Sequence, residues 1–264
     1  ISYNDGLGAQ SATRDVQATG ATPASLTISD GATYNYGTLE TAVTSDKTFT
    51  VNNTGGVTAT GIGGSGLASP FSFKGGTFPG SGGSCSSTLG ASASCTMVVT
   101  FAPLSTGVAN DTIEIAYNDS VAAQSVTRDV TGTGAAPTAP TGLTRLLPAA
   151  TPNNVSSVTI RVTGVAEANV VKLFTDSSCT TQVASGTVGV GATQIDLVWG
   201  TLSTDGAYTF YANRTNTAGT VSACSTATAS YTRDTVAPSI TTINNQDPGR
   251  TPHWDDTPTF RVLG

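Results

Sequence analysis

The chain contains one histidine and one methionine in 264 residues, and only 11% of its residues are charged, against a usual ~25%. The lone histidine, in His253-Trp254-Asp255-Asp256, leaves a Ser-His-Asp triad with a single candidate base close to the end of the sequence. The four cysteines, Cys85, Cys95, Cys179 and Cys224, form no CxxC spacing, which speaks against a zinc site. No apolar run approaches the ~18 residues that a spanning helix needs. The net charge of −6 disfavours nucleic acid and anionic membrane as partners. No enzyme, resident cofactor, nucleic-acid partner or direct membrane insertion is expected. No secretory signal is legible either, but a chain that opens inside a repeat need not display one.

What is abundant is Gly, Ser, Thr, Ala and Val. Thr and Val favour strands and Gly favours turns, so the bias points to β structure with many connections. A repeat organises it. Residues 1–20, ISYNDGLGAQSATRDVQATG, return as residues 115–134, IAYNDSVAAQSVTRDVTGTG, with thirteen of twenty positions identical. The second copy closes a domain, so the first is expected to close one too, as the tail of an upstream repeat.

Residues 1–20 predict a hairpin: Ile1 and Tyr3 alternate, Asn4-Asp5-Gly6 turns, and 9–18 returns. Residues 22–136 carry period-2 alternation at Leu26 and Ile28, Phe49 and Val51, Met97, Val99 and Phe101, and Ile113, Ile115 and Tyr117. Val57, Ala59 and Gly61 are read as one side of a short strand. Residues 135–140, AAPTAP, form a Pro-containing linker. Residues 137–236 alternate again, at Val158, Ile160 and Val162, and at Ile195, Leu197 and Trp199. Thr151-Pro152 and Val162-x-Gly164 recur as Thr251-Pro252 and Val262-x-Gly264, so residues 237–264 read as the opening of a further module. The expected fold is all-β: tandem immunoglobulin-like β-sandwiches in an elongated array. The linker separates the cysteines two and two, which favours Cys85–Cys95 and Cys179–Cys224 over the other connectivities and over four free thiols. Disulfides imply an oxidising, extracellular or cell-surface location.

TFTVNNTGG (48–56), SCTMVVTFAP (94–103), DTIEIAYND (111–119) and VTRDVTGTG (126–134) together resemble the Hydin-type immunoglobulin-like domain, found also in bacterial choice-of-anchor D surface proteins. The likeness covers residues 22–136, with 1–20 as the end of a preceding copy. GAYTFYANRTNTAGTVSACS (206–225) and TRDTVAPS (232–239) resemble bacterial Ig-like adhesin repeats; Ala218-Gly219-Thr220 departs from the usual AGN turn. The resemblance implies a β-sandwich in an extracellular array and no catalytic residue.

Several clusters admit a site reading beside a plainer one. Asn4-Asp5, Asn118-Asp119 and Asp234 could hold calcium at module junctions, or simply shape turns; His253–Asp256 could bind a cation, or be a polar loop. Thr-Arg-Asp at 13–15, 127–129 and 232–234 reads as a junction contact, or, preferred, as a charged edge strand. Trp199, Tyr208 and Phe210 fit a core better than a carbohydrate platform. Lys47, Lys74 and Lys172 could form isopeptide bonds, though no motif fixes a partner. The expected function is a structural stalk or shaft of a bacterial surface or secreted fibre or adhesin. Its partners would be neighbouring Ig-like repeats of a longer chain, or neighbouring fibre subunits. Two alternatives stand beside it: a module that binds glycan or a host or prey surface protein through the Gly-rich loop 75–94, and a non-catalytic spacer of a large secreted enzyme.

Overall fold

The computed structural model describes residues 1–237, together with the strand segments 242–245 and 260–263. The His253–Asp256 cluster lies outside the described residues. The chain divides into two compact units: Ile1–Pro137 with Asn216–Thr220, and Thr138–Thr215 with Val221–Gly264. No described residue is in an α-helix.

The first unit begins with the hairpin β1 (Ser2–Asn4) and β2 (Ala9–Ser11). It continues through β3 (Leu26–Ile28), β4 (Thr33–Glu40), β5 (Ser45–Asn53), β6 (Ala59–Ser65), β7 (Phe71–Phe73), β8 (Thr88–Leu89), β9 (Ser94–Phe101), β10 (Gly107–Asn118) and β11 (Ala123–Ala135). Two sheets result, ordered β3-β5-β9-β7 and β4-β11-β10-β6-β8. In immunoglobulin terms the first is A-B-E-D and the second holds the C, F and G strands, joined by a second N-terminal strand along G. This strand order is the basis for calling the unit an Ig-like sandwich.

Alternation builds its core. Phe49 and Val51 of β5, and Met97, Val99 and Phe101 of β9, point inward; Ile113 and Ile115 of β10 and Val130 of β11 meet them from the other sheet. Phe71 and Phe101 stack at 4.9 Å. Gly132 lies against that ring: a Cβ there would stand 2.7 Å from a Phe101 ring carbon. Buried Asn53 is fully used. Its Oδ1 accepts from the Ser25 and Gly55 amides, and its Nδ2 donates to the carbonyls of Val57, Leu89 and Gly90. The expected alternation through Gly61 is corrected. Gly61 has φ +62°, which turns the chain, so that Ile62 rather than Gly61 faces inward.

The second unit contains β12 (Gly142–Leu147), β13 (Val158–Thr163), β14 (Val170–Phe174), β15 (Gln182–Thr187), β16 (Gln194–Trp199), β17 (Gly206–Thr215) and β18 (Ala229–Arg233), with β19 (Thr242–Asn245) and β20 (Phe260–Leu263) as a separate antiparallel pair. The sheets are β12-β13-β16 and β15-β14-β17-β18. Val158, Ile160 and Val162 face Val171, Leu173, Phe210 and Tyr231 across one core. The fold is all-β, built of Ig-like sandwiches.

Two disulfides are formed. Cys85–Cys95 closes 10 residues beside β9, and Cys179–Cys224 spans 45, joining the β14–β15 turn to the β17–β18 loop. Among the described residues, no helix is long and apolar enough to cross a membrane.

Candidate functional site

Each sandwich ties a segment near its start to its last strand, β11 in the first and β18 in the second. In the first unit, β4 runs parallel to β11, with Asp129–Ala135 in register with Thr33–Glu40 apart from one irregularity near Gly132. Parallel ladders are evenly spaced and slanted. Because the two strands lie side by side and point the same way, pulling the ends of the unit apart drives them past one another. The ladder bonds are then loaded together rather than one after another. Further ties reinforce this pairing. Thr41 N donates to Ala135 O at 2.9 Å, Ala24 N to Asp119 O at 3.1 Å, and Leu26 N to the Tyr117 hydroxyl at 3.3 Å. The Arg128 guanidinium donates to Ile28 O.

The second unit has a smaller version. Asn153 forms a parallel bridge with Arg233. Asn153 N donates to Thr232 O at 3.1 Å, and Asp234 N donates to Asn153 O at 3.0 Å. Arg145 Nε of β12 reaches Ser230 O of β18 at 3.0 Å. The entry residue Thr138 is held by Arg214, which is 5% exposed: Nε donates to Thr138 O at 2.7 Å, Nη2 to Thr138 Oγ1 at 2.9 Å and Nη1 to Asn169 Oδ1 at 2.7 Å. The exit is held by Asp205, which pairs with Arg233 at 2.8 Å and accepts from the Thr235 amide and hydroxyl. Those Thr235 bonds, with the Arg233 charge, keep the Asp205 carboxyl below the usual carboxylate range.

Arg214 carries no signal in the sequence that sets it apart from a solvated arginine. Replacing it by Ala strips charged hydrogen bonds from the buried Asn169 amide oxygen and from Thr138, each worth ~1.5–3 kcal/mol. We expect Arg214→Ala to lower the stability of the second sandwich by about 2–4 kcal/mol, read by Trp199 fluorescence in urea.

The Thr-Arg-Asp triplets fare differently from one another. Arg14 is exposed and outside any strand. Arg128 is half-buried on β11, which lies between β4 and β10 rather than at a sheet edge, and its guanidinium donates to the Ile28 carbonyl. Arg233 does lie on an edge strand, β18.

The carboxylates read as calcium candidates serve their own turns. Asp119 Oδ1 accepts from the Val121 and Ala122 amides at 2.7 Å each, and Asp5 Oδ1 from Leu7 and Gly8 at 2.9 Å each. Asp234 Oδ1 accepts from Val236 N at 2.9 Å. Among the described residues, no three acidic, His or Cys side chains gather as a metal site would require. Asp176 is similar. It accepts from the Thr181, Thr180 and Ser178 amides and the Thr180 hydroxyl, and these bonds, the Thr181 amide foremost, hold its pKa at about 2. A depressed carboxyl pKa stabilises the fold above the unfolded value of 3.8 and loses that contribution as pH falls through the folded value. The lowered carboxyls of Asp5, Asp30, Asp46, Asp119, Asp176, Asp196 and Asp205 therefore predict stability that is flat above about pH 5 and declines below about pH 4. A series of thermal melts from pH 7 to 2 reads this directly, and Tm that falls between pH 7 and 5 would contradict it.

Lys47 and Lys74 sit in ion pairs. Lys47 is 3.0 Å from Asp30, and Lys74 is 2.7 Å from Asp46. The Ser29 hydroxyl, with Lys47, holds the Asp30 carboxyl below its ordinary range. Condensation of a lysine with a carboxyl requires the acid in its protonated form, and these contacts hold the Asp30 and Asp46 carboxyls in the charged form. Lys172 is half-buried on β14.

Trp199, Tyr208 and Phe210 pack edge to face, with centroids 5.4 and 6.0 Å apart. Phe210 is fully buried and the other two are half-buried against the core. The loop 75–94 is stitched to β9: Lys74 N donates to Val98 O, Val98 N to Pro79 O, and Ser84 N and Cys85 N to Thr96 O. Its exposed side chains are mainly hydroxyls, Thr77, Ser81, Ser84, Ser86, Ser87 and Thr88, while Phe78 is half-buried against Phe73. The loop is a fixed surface with no ring standing on it.

No family model and no curated protein matches the chain. Solved structures do. The PapD-like domain 7 of human CEP192 matches at 18% identity over 48% of this chain and 97% of that one, with a TM-score of 0.34. The titin domains Z1Z2 in complex with telethonin match at 16% identity over 83% and 100%, with a TM-score of 0.30. The Vibrio cholerae VesB protease matches at 18% identity over 41% of this chain and 31% of its own length, with a TM-score of 0.34. The fold assignment rests on the strand order described above.

Proposed function

We propose that the chain is a section of the stalk or shaft of a bacterial surface or secreted fibre, working by resisting extension. Residues 22–136 act as a Hydin-type Ig-like module and residues 137–236 as an adhesin-type Ig-like module. Their partners are neighbouring repeats of the same kind, and the compartment is extracellular. The observation that carries this reading is the parallel β4–β11 pairing, which places the first unit's early strand along its last strand. The disulfides support an oxidising compartment. Resistance to extension serves a fibre and the spacer of a secreted enzyme alike; the repeat of residues 1–20 favours the fibre.

Recognition through the loop 75–94 is the competing role, favoured by the loop's fixed geometry. A glycan array probed with the whole chain separates the two. A shaft section shows no saturable binding. Saturable binding that Thr77→Asp and Ser81→Asp abolish would replace the shaft reading with recognition.

A further inference from the structure

The hairpin at residues 1–12 has no sheet to belong to: β1 and β2 pair only with each other. An isolated two-stranded hairpin is marginal in water. Its register, however, is that of the β10–β11 hairpin, which is built into the five-stranded sheet of the same unit. In β1–β2 the partners are Ser2 with Ser11, Tyr3 with Gln10 and Asn4 with Ala9. In β10–β11 they are Ala116 with Ser125, Tyr117 with Gln124 and Asn118 with Ala123, the same pairs 114 positions on. The turns match as well. Asn4 Oδ1 accepts from Gly6 N as Asn118 Oδ1 does from Ser120 N, and Asp5 and Asp119 each take two amides. Gly6 and Ser120 share positive φ, +89° and +80°.

Burial is where the two copies differ. Ile115 and Val130 are 0% and 1% exposed, whereas their counterparts Ile1 and Val16 are 95% and 91% exposed. The half-buried Arg128 is tied to the Ile28 carbonyl, while Arg14 is exposed. The first copy thus keeps the apolar side chains and the turn of a module-closing hairpin, yet nothing in the described chain covers them.

We infer that residues 1–20 are the closing hairpin of a second module of the 22–136 kind, and that their occupant is a unit equivalent to residues 22–114 whose chain runs directly into Ile1. This deepens the shaft reading by naming the neighbour. Ile1 and Val16 enter that unit's core as Ile115 and Val130 enter this one. Residues 15–20 run parallel beside its β4 counterpart, as 129–134 do here. One departure describes the occupant further. Ala18 stands where Gly132 lies against the Phe101 ring. A Cβ at that position collides with such a ring, so the matching unit carries a side chain smaller than Phe at its Phe101 position.

The test adds a second copy of residues 22–114 directly ahead of Ile1 of the full chain, so that Glu114 precedes Ile1 as it precedes Ile115. Two versions are made, one with Ala18→Gly and one with Phe101→Leu in the added copy only. Hydrogen exchange is followed at Tyr3, Gln10 and Val16. In the unextended chain these amides exchange near the rate of a fraying terminus. In both extended versions, protection at these amides should rise at least about 100-fold, into the range of a cooperative core. A third version with Ile1→Asp and Val16→Asp should lose that gain. The resident module, closed by 115–134, is the internal standard that a 22–114 segment folds when its hairpin is present. If that standard is protected while Tyr3, Gln10 and Val16 stay unprotected in both versions, the inference is overturned. That failure would leave the resistance of the resident units to stretching unaffected, so it is distinguishable from failure of the shaft reading.

Discussion

Phe101→Ala is expected to cost the first sandwich about 3–5 kcal/mol, the range for removing a fully buried Phe. Phe101 has no exposed surface. It stacks on Phe71, lies 5.6 Å from the Tyr36 ring, and fills the space over Gly132. The glycine leaves no side chain that could move into the vacated volume, so relaxation is limited and the upper part of the range is expected. Urea unfolding followed by hydrogen exchange on peptides from 45–101 reports the loss. Trp199 fluorescence reports the second sandwich in the same sample and should keep its midpoint. A cost below about 1 kcal/mol would mean that the ring is not the centre of this core.

Removing the disulfide Cys179–Cys224 by paired Ala substitution is expected to destabilise the second sandwich by about 4 kcal/mol, on a chain-entropy estimate for its 45-residue loop. The same change at Cys85 and Cys95 opens a loop of only 10 residues and is expected to cost about 2.5–3 kcal/mol. The ranking follows from the loop lengths. The larger loop forfeits more unfolded-state entropy, so its removal lowers the urea midpoint of its own unit more. An equal or reversed order would show that native packing around the sulfurs, rather than loop closure, sets the contribution.

Much of the sandwich architecture was legible because alternation leaves a direct trace. Phe49 and Val51, Met97, Val99 and Phe101, and Ile113 and Ile115 all face inward as the period-2 pattern implies. Gly61 broke that pattern because its left-handed backbone shifts the side-chain phase, which composition alone does not reveal. The pairing of β4 with β11 was not legible. The β4–β11 pairing joins residues almost a hundred positions apart, and parallel partners leave no local turn signal such as a hairpin does. Arg214 was missed for a related reason. A buried arginine is recognisable only by its acceptors, and Thr138 and Asn169 are distant in sequence. The sequence suggests one strand over 9–18, but the strand ends at Ser11 and the hairpin's hydrogen bonds end at Ala12, which exchanges two with Ile1, since the residues that hold 129–135 in place have no counterpart beside 15–20 in the described chain.

The central claim is that each unit resists extension through its terminal-strand pairing, and the first does so more strongly. Six register pairs join β4 and β11, against one parallel bridge at Asn153 and Arg233. Single-molecule stretching of the full chain, with and without reductant, tests this. Reduction should lengthen the second unit's unfolding step by roughly 150 Å, from 45 residues released at ~3.3–3.6 Å each, and the first unit's by only about 35 Å from 10 residues. Those increments identify the two events. The account predicts that the event with the small increment occurs at the higher force under both conditions. If the event with the large increment needs the higher force, or the chain extends without discrete events, the account is contradicted.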